Sequence, residues 1–125
     1  MKKTKTCKGW KVLLAKSRRS ISDYSLNNKY ALEYPVNVIV FPKLEGSKLF
    51  FFRSKKCAIE FMADFYATGD YQPKMVVRCI ATNPQKKLTV SDNIMNIEAF
   101  WSGNICYINN APEGTYVANS ITCLE

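Results

Sequence analysis

Basic and aromatic side chains are the residues of this chain whose types could do chemistry together. Residues 1–19 contain eight lysines or arginines and no acid, whereas the rest of the chain carries ten bases and ten acids. The net charge of +8 therefore comes from the amino-terminal segment. Aromatic residues make up 13% of the chain. Because cations bind phosphates and flat apolar rings stack on nucleobases, this combination predicts a site for an anionic, ring-bearing ligand.

The candidate binding residues follow from that chemistry. We expect cations to hold phosphate groups and aromatic rings to stack on a base. We also expect a homo-oligomer with the pocket between subunits, because a chain of 125 residues offers little concave surface alone. The predicted phosphate-binding residues are Arg18, Arg19, Arg53, Arg78 and Lys55. The predicted stacking residues are Trp10, Tyr24, Trp101 and Tyr107.

Several catalytic chemistries lack their residues in this sequence. There is no histidine, which removes a histidine base, the usual serine or cysteine triads and histidine-ligated zinc. The five cysteines show no metal-ligand spacing, and the five glycines form no phosphate-binding loop. A phosphodiesterase would need a glutamate or lysine base instead. The sequence therefore predicts a protein that is not an enzyme, with no metal site and no cofactor.

The segment KLFFFRSKKCAIEF, residues 48–61, places an apolar run directly before a basic one. The phenylalanines predict a buried strand, and Ser54 is the predicted N-cap of a helix that Gly69 ends. Its apolar residues recur at a helical period, namely Ala58, Phe61, Met62, Phe65 and Tyr66. The cations that follow the phenylalanines therefore lie at a strand-to-helix turn. They form either a solvated helix end or, with free backbone N–H groups, an anion site.

The remaining patterns predict the fold class. Strands are expected over 9–16, 29–34, 36–41, 49–52, 74–82 and 116–125, and a second helix over 91–101, capped by Ser91 or Asp92. The order β-β-β-β-α-β-α-β is typical of a single α+β domain with a largely antiparallel mixed sheet of about six strands and two helices. We expect residues 1–8 to be a flexible basic arm and residues 9–125 to be the domain.

Six parts of the chain carry a resemblance: Trp10–Leu13, Tyr30–Tyr34, Phe52–Phe61, Val77–Cys79, Phe100–Gly103 and Ala111–Leu124. Together they resemble a group of small, mostly uncharacterised bacteriophage and prophage proteins, over nearly the whole domain. The resemblance implies a phage origin. Small phage proteins of this size often antagonise bacterial immunity, and some are sponges that bind cyclic nucleotide or cyclic ADP-ribose signals.

Three functions stay open at this point. The first is a phage-encoded protein that sequesters a small anionic nucleotide immune signal to block host defence. The second is a nucleic-acid-binding protein that uses the basic amino-terminal segment. The third is a protein–protein inhibitor of a host factor. No apolar run approaches the length of a membrane span or a secretory signal, so we expect a protein of the host bacterial cytosol without a membrane partner.

Overall fold

The predicted α+β class with a mostly antiparallel sheet is confirmed. The computed structural model describes residues 5–20, 32–43, 46–67, 72–87, 89–91, 108–110 and 113–125. These residues contain nine strands and one helix, in this order: β1 Thr6–Leu14, β2 Ile39–Val40, β3 Leu49–Phe52, α1 Lys55–Ala67, β4 Lys74–Thr82, β5 Gln85–Lys86, β6 Thr89–Ser91, β7 Ile108–Asn110, β8 Thr115–Ala118 and β9 Ser120–Cys123.

Seven of the strands form one sheet in the order β2-β9-β4-β1-β3-β8-β5, and β6 pairs with β7 in a separate ladder. The centre of the sheet is the antiparallel pair of β1 and β4, which runs from Thr6 opposite Thr82 to Leu14 opposite Lys74. Because directly opposed residues share a face, this register decides which side chains of the two strands meet.

The sheet curls strongly, as the connection between its last two strands requires. Only Asn119 separates β8 from β9 in the chain, yet β8 pairs with β3 and β9 pairs with β4, on opposite sides of β1. The Cα atoms of Ala118 and Ser120 lie at most about 7 Å apart, so the β3 and β4 sides must approach each other at this bend. The sheet is therefore a partly closed barrel with an inner and an outer face.

The inner face carries the larger apolar layer. Leu13, Phe51 and Ile121 are almost fully buried there, and Leu32, Tyr34 and Val40 of the segment 32–43 pack onto the same layer. The outer face carries a smaller layer, in which Ala58 of α1 packs against Val12 and Phe52. Trp10, Cys57, Phe61, Met62 and Val76 surround it.

Helix α1 begins as the sequence predicts. The Ser54 hydroxyl accepts a hydrogen bond from the backbone N–H of Cys57 at 3.2 Å, which confirms Ser54 as the N-cap. The first turn contains Lys55 and Lys56 and no acidic residue. At the other end, the Tyr66 hydroxyl accepts from the backbone N–H of Lys74 at 3.1 Å and joins the helix to β4.

The number of elements differs from the prediction. The main sheet has seven strands instead of six: β5, too short to show any periodicity, is added, and the predicted closing strand is divided into β8 and β9. Of the predicted strand 29–34, the described residues 32–34 form only an isolated bridge at Glu33 and no strand of the sheet. The described residues contain one helix instead of two. The second predicted helix, 91–101, lies outside the described residues apart from Ser91, which is the last residue of β6.

Three strand boundaries also differ. β1 begins at Thr6, so part of the predicted arm pairs with β4. β2 is only Ile39–Val40, because Asn37 has a positive φ of 62° in the turn before it. The predicted closing strand is divided at Asn119, whose backbone N–H donates to the carbonyl of Thr82 at 2.9 Å. That bond fixes the bend between β8 and β9.

Candidate functional site at the start of the helix

The structure places the predicted site residues in three regions. Trp10, Lys55 and Arg78 lie together on the outer face, beside the first turn of α1. Arg53 extends from the end of β3 toward Tyr116, and Arg18 and Arg19 lie in the turn after β1. The other three predicted stacking residues, Tyr24, Trp101 and Tyr107, lie outside the described residues.

Trp10 is the centre of the first group. It lies directly opposite Arg78 across the β1–β4 pair, so the two side chains are neighbours on the outer face. The Lys55 ammonium lies over the indole ring, with Nζ 5.2 Å from the ring centroid. Trp10 is half-buried against the outer apolar layer, whereas Lys55 and Arg78 are exposed. The ring is thus held by packing, while the cations beside it face solvent.

Glu125 pairs with one of these cations, Arg78. Its Oε1 accepts a hydrogen bond from the backbone N–H of Arg78 at 3.1 Å and lies 3.4 Å from Arg78 Nε. The pKa of the Glu125 carboxyl is lowered, first by this backbone hydrogen bond and further by the charges of Arg78 and Lys55. We call Trp10, Lys55, Arg78 and Glu125 the Trp10 cluster.

Arg18 reaches the same acidic residue from another direction. Its Nη2 donates to the backbone oxygen of Glu125 at 2.7 Å, and its Nε donates to the carbonyl of Tyr34 at 2.8 Å. Arg18 itself has a positive φ of 57°. It therefore ties the turn after β1 to the segment 32–43 and to the residues that follow β9. Two predicted phosphate-binding residues, Arg18 and Arg78, thus contact Glu125, and the charge of Lys55 acts on its carboxylate.

The remaining predicted cations lie elsewhere. Arg19 forms an isolated antiparallel bridge with Glu33. The Arg53 guanidinium lies 5.9 Å from the Tyr116 ring centroid, and its Nη1 donates to the carbonyl of Lys8 at 3.2 Å. Tyr116 packs against the inner layer, with its ring centroid 5.8 Å from that of Phe51. Arg53 and Tyr116 therefore form a second cation–aromatic pair, separate from the Trp10 cluster.

Lys11 is a buried ionisable residue of the inner face. Its Nζ donates to the carbonyl of Phe50 at 2.6 Å and lies 5.0 Å from the Tyr34 ring centroid. Burial lowers the pKa of Lys11 to about 8, although the nearby Cys123 and Cys79 act in the opposite direction. Burial also raises the pKa of Cys79 to about 12, so this thiol stays protonated and unreactive near neutral pH.

Sequence reasoning missed Glu125, Tyr116 and Lys11, for different reasons. Alternation along β1 could have placed Lys11 inward, because it shares a face with Leu13. The other two have no local signal, since Glu125 meets Arg78, and Tyr116 meets Arg53, only through long-range strand pairing. The Arg78 side chain has both a partner, Glu125, and exposure to solvent.

Comparison with known proteins adds no functional information. No family model, no curated protein and no solved structure matches the chain. Within the described ranges, no helix is both long enough and apolar enough to cross a bilayer. In the same residues, no three histidine, cysteine or acidic side chains are grouped so that they could hold a metal ion. The site geometry therefore carries the functional argument.

Proposed function

We propose that this chain is a binding protein that sequesters a small anionic nucleotide and does not transform it. One observation carries the proposal: a packed indole ring has one exposed cation over it and another directly opposite it in the sheet. The resemblance to phage proteins supports a phage-encoded sponge for an immune signal, of the cyclic oligonucleotide or cyclic ADP-ribose type.

Binding of a base at Trp10 requires Lys55 to move away from the ring. The exposed contact between Lys55 and the indole is worth about 0.5–1 kcal/mol, whereas stacking of a base on an aromatic side chain is worth about 1–3 kcal/mol. The exchange is therefore favourable. The displaced ammonium stays on its flexible side chain and can pair with a phosphate of the same ligand.

The phosphate groups would meet a surface that already favours anions. Lys55 and Lys56 occupy the first turn of α1, where the helix dipole favours negative charge. The Arg78 side chain is 60% exposed, so its guanidinium can bind a phosphate oxygen without leaving a buried position. Base and phosphates are thus bound by different residues of one surface, as nucleotide recognition requires.

The ionisation of Glu125 supports binding without catalysis. A general base works best when its pKa lies near the operating pH. The pKa of Glu125 is instead lowered by Arg78 and Lys55, which makes its carboxylate a weak base. We therefore expect a ligand held at the Trp10 cluster to be released chemically intact.

Single-stranded nucleic acid is a second candidate ligand, supported by Lys8. This exposed lysine is two residues before Trp10 in β1 and so shares its face, next to Ile80 of β4. Cations along one sheet face beside an aromatic ring suit an extended phosphate chain. This function predicts an affinity that grows with oligonucleotide length and falls steeply with salt.

Fluorescence of Trp10 tests the proposed function. The chain has two tryptophans, so Trp101→Phe leaves Trp10 as the sole tryptophan reporter. A folded sample, checked by circular dichroism, is titrated with cyclic di- and trinucleotides and cyclic ADP-ribose isomers. We expect saturable quenching by at least one of them. A linear response to every ligand would contradict the proposal.

Two adjacent lysines provide the matched control. Lys55→Gln should weaken binding about tenfold, because it removes the ammonium that leaves the ring and pairs with a phosphate of the ligand. Lys56→Gln removes the same charge from the next residue, and we expect a change of less than about twofold because exposed charges are largely screened by salt. Equal losses for the two variants would show that only general charge attracts the ligand.

The fate of the ligand separates a sponge from an enzyme. The bound nucleotide is released by heating and analysed by mass spectrometry after hours of incubation. An unchanged mass supports sequestration. A cleaved product would show that the protein is an enzyme. Recovery of host RNA or DNA fragments in place of a small nucleotide would favour the second candidate.

A further inference from the structure

We infer that Glu125 is a built-in competitor of the anionic ligand: it pairs with Arg78 of the Trp10 cluster and so lowers the affinity of the site for the ligand. This inference rests on the proposed function, and it concerns how that same site is regulated. The backbone N–H and the side chain of Arg78 both face one oxygen of Glu125, at 3.1 and 3.4 Å. A phosphate that binds Arg78 would use the same backbone N–H and guanidinium.

The competition follows from the charges involved. Glu125 is ionised and exposed, and both Arg78 and Lys55 lower its pKa. An incoming phosphate must replace the carboxylate at Arg78 or accept its repulsion at close range. Because the carboxylate is attached to the same chain, it competes at every protein concentration, and dilution does not remove it. The free protein therefore already holds an anion where the ligand's anion would bind.

Arg18 acts in this arrangement as a positioning residue. Its guanidinium is bonded to the backbone oxygens of Tyr34 and Glu125, which fixes the residue that carries the competing carboxylate. Arg18 holds the position of Glu125 and does not contact the ligand. Substitution of Arg18 should then change the ligand affinity in the opposite direction to substitution of a phosphate-binding arginine. Removing its side chain should loosen Glu125 and tighten ligand binding.

Affinities of matched variants test the inference. In the titration of Trp10 fluorescence, Glu125→Gln should bind the nucleotide about three- to fivefold more tightly, which is the effect of losing one exposed ion pair. Glu60→Gln removes the same charge from an exposed position on α1, and its affinity should change by less than half of that factor. Arg18→Gln should also tighten binding, whereas Arg78→Gln should weaken it.

The backbone amide of Arg78 gives a second readout that does not depend on identifying the natural ligand. In an ¹⁵N-labelled sample, inorganic pyrophosphate should shift this resonance in the wild type as Glu125 is displaced. In Glu125→Gln, the shift should saturate at a lower pyrophosphate concentration. Both results together support the inference.

The outcomes also separate this inference from the proposed function. Suppose that the wild type binds the nucleotide and Glu125→Gln binds it equally well or more weakly. That result would contradict the role of Glu125 as a competitor and would leave the proposed nucleotide site supported. Weaker binding by Arg18→Gln, with an unchanged circular dichroism spectrum, would show that Arg18 binds a phosphate of the ligand and does not act by positioning Glu125. If neither the nucleotides nor pyrophosphate bind the wild type or any variant, both the proposed nucleotide site and the role of Glu125 as its competitor are contradicted.

Discussion

Three lysines, Lys8, Lys11 and Lys55, differ in what their surroundings allow them to do. Lys11 points into the barrel, where its ammonium contacts the Phe50 carbonyl and the Tyr34 ring. Lys55 lies over Trp10 on the outer face and stays exposed. Lys8 lies on that same outer face with no aromatic ring contact among the described residues. Alternation along β1 explains why Lys11 is buried and Lys8 is exposed on the outer face.

The titration of Lys11 gives a pH dependence of stability. Burial lowers the pKa of Lys11 to about 8, from 10.5. Between these values the folded protein has lost a proton that the unfolded chain still binds, so this residue raises the free energy of unfolding as the pH increases. Relative to Lys11→Met, the wild type should gain about 1 kcal/mol of stability between pH 7 and pH 9.

Urea unfolding of both proteins at pH 7, 8 and 9 measures this difference. Burial raises the pKa values of Cys79, Cys123 and Tyr34, so these groups lower the free energy of unfolding as the pH increases. Both proteins contain them, so their contribution largely cancels in the difference between wild type and Lys11→Met. A constant difference between wild type and Lys11→Met across this range would mean that the ammonium is not buried in the folded protein.

Gly9 is required by the close approach of β3. A Cβ atom at this position would lie 2.7 Å from Cε2 of the Phe51 ring and 2.9 Å from the Phe52 carbonyl oxygen. The carbonyl cannot move without disturbing the strand, so Gly9→Ala should destabilise the protein by about 1–3 kcal/mol. In chemical denaturation, a Gly9→Ala variant that unfolds at the same denaturant concentration as the wild type would contradict this role of Gly9.

Secondary-structure elements were predictable where their signal is local. Strands β3 and β4 have the predicted boundaries, since each is a compact run of apolar and β-branched residues. Helix α1 was predictable from its apolar stripe and from Ser54. The short strands β5, β6 and β7 were not, because two or three residues show no periodicity and form strands only through distant partners.

The N-cap of α1 also supports the candidate site, because it fixes where Lys55 begins the helix. Ser54→Ala removes the acceptor for the Cys57 N–H and should destabilise the protein by about 1 kcal/mol. Ser54→Asp keeps an acceptor and adds a charge that the helix dipole favours. In thermal unfolding, we expect Ser54→Asp to match the wild type and Ser54→Ala to unfold at a lower temperature. Equal unfolding of the two variants would contradict the capping role.

The candidate site as a whole was only partly predictable. Trp10, Lys55 and Arg78 were predicted by residue type, but six other cationic or aromatic residues were predicted as binding residues on the same grounds. What joins these three is the β1–β4 register and the position of α1. Both depend on contacts between residues far apart in the chain. Local sequence patterns also do not predict the curl of the sheet, which follows from the single residue between β8 and β9.

The curled sheet separates two surfaces on which a nucleotide could bind. The Trp10 cluster lies outside, beside the helix, and the pair of Arg53 and Tyr116 lies toward the inner layer. The proposed function assigns the ligand to the outer surface, because two cations meet one ring there. Arg53→Gln should therefore leave the affinity within about twofold of the wild type, whereas Arg78→Gln should lower it about tenfold.

Nuclear magnetic resonance of the ¹⁵N-labelled protein, titrated with the tightest-binding cyclic nucleotide, shows which of the two surfaces holds the ligand. We predict saturable shifts of the Trp10 indole N–H and of the backbone amides of Lys55, Arg78 and Glu125, while Tyr116 and its neighbours stay in place. Shifts that centre on Tyr116, or a spectrum of the folded protein that no nucleotide changes, would contradict the claim that the nucleotide binds at the Trp10 cluster.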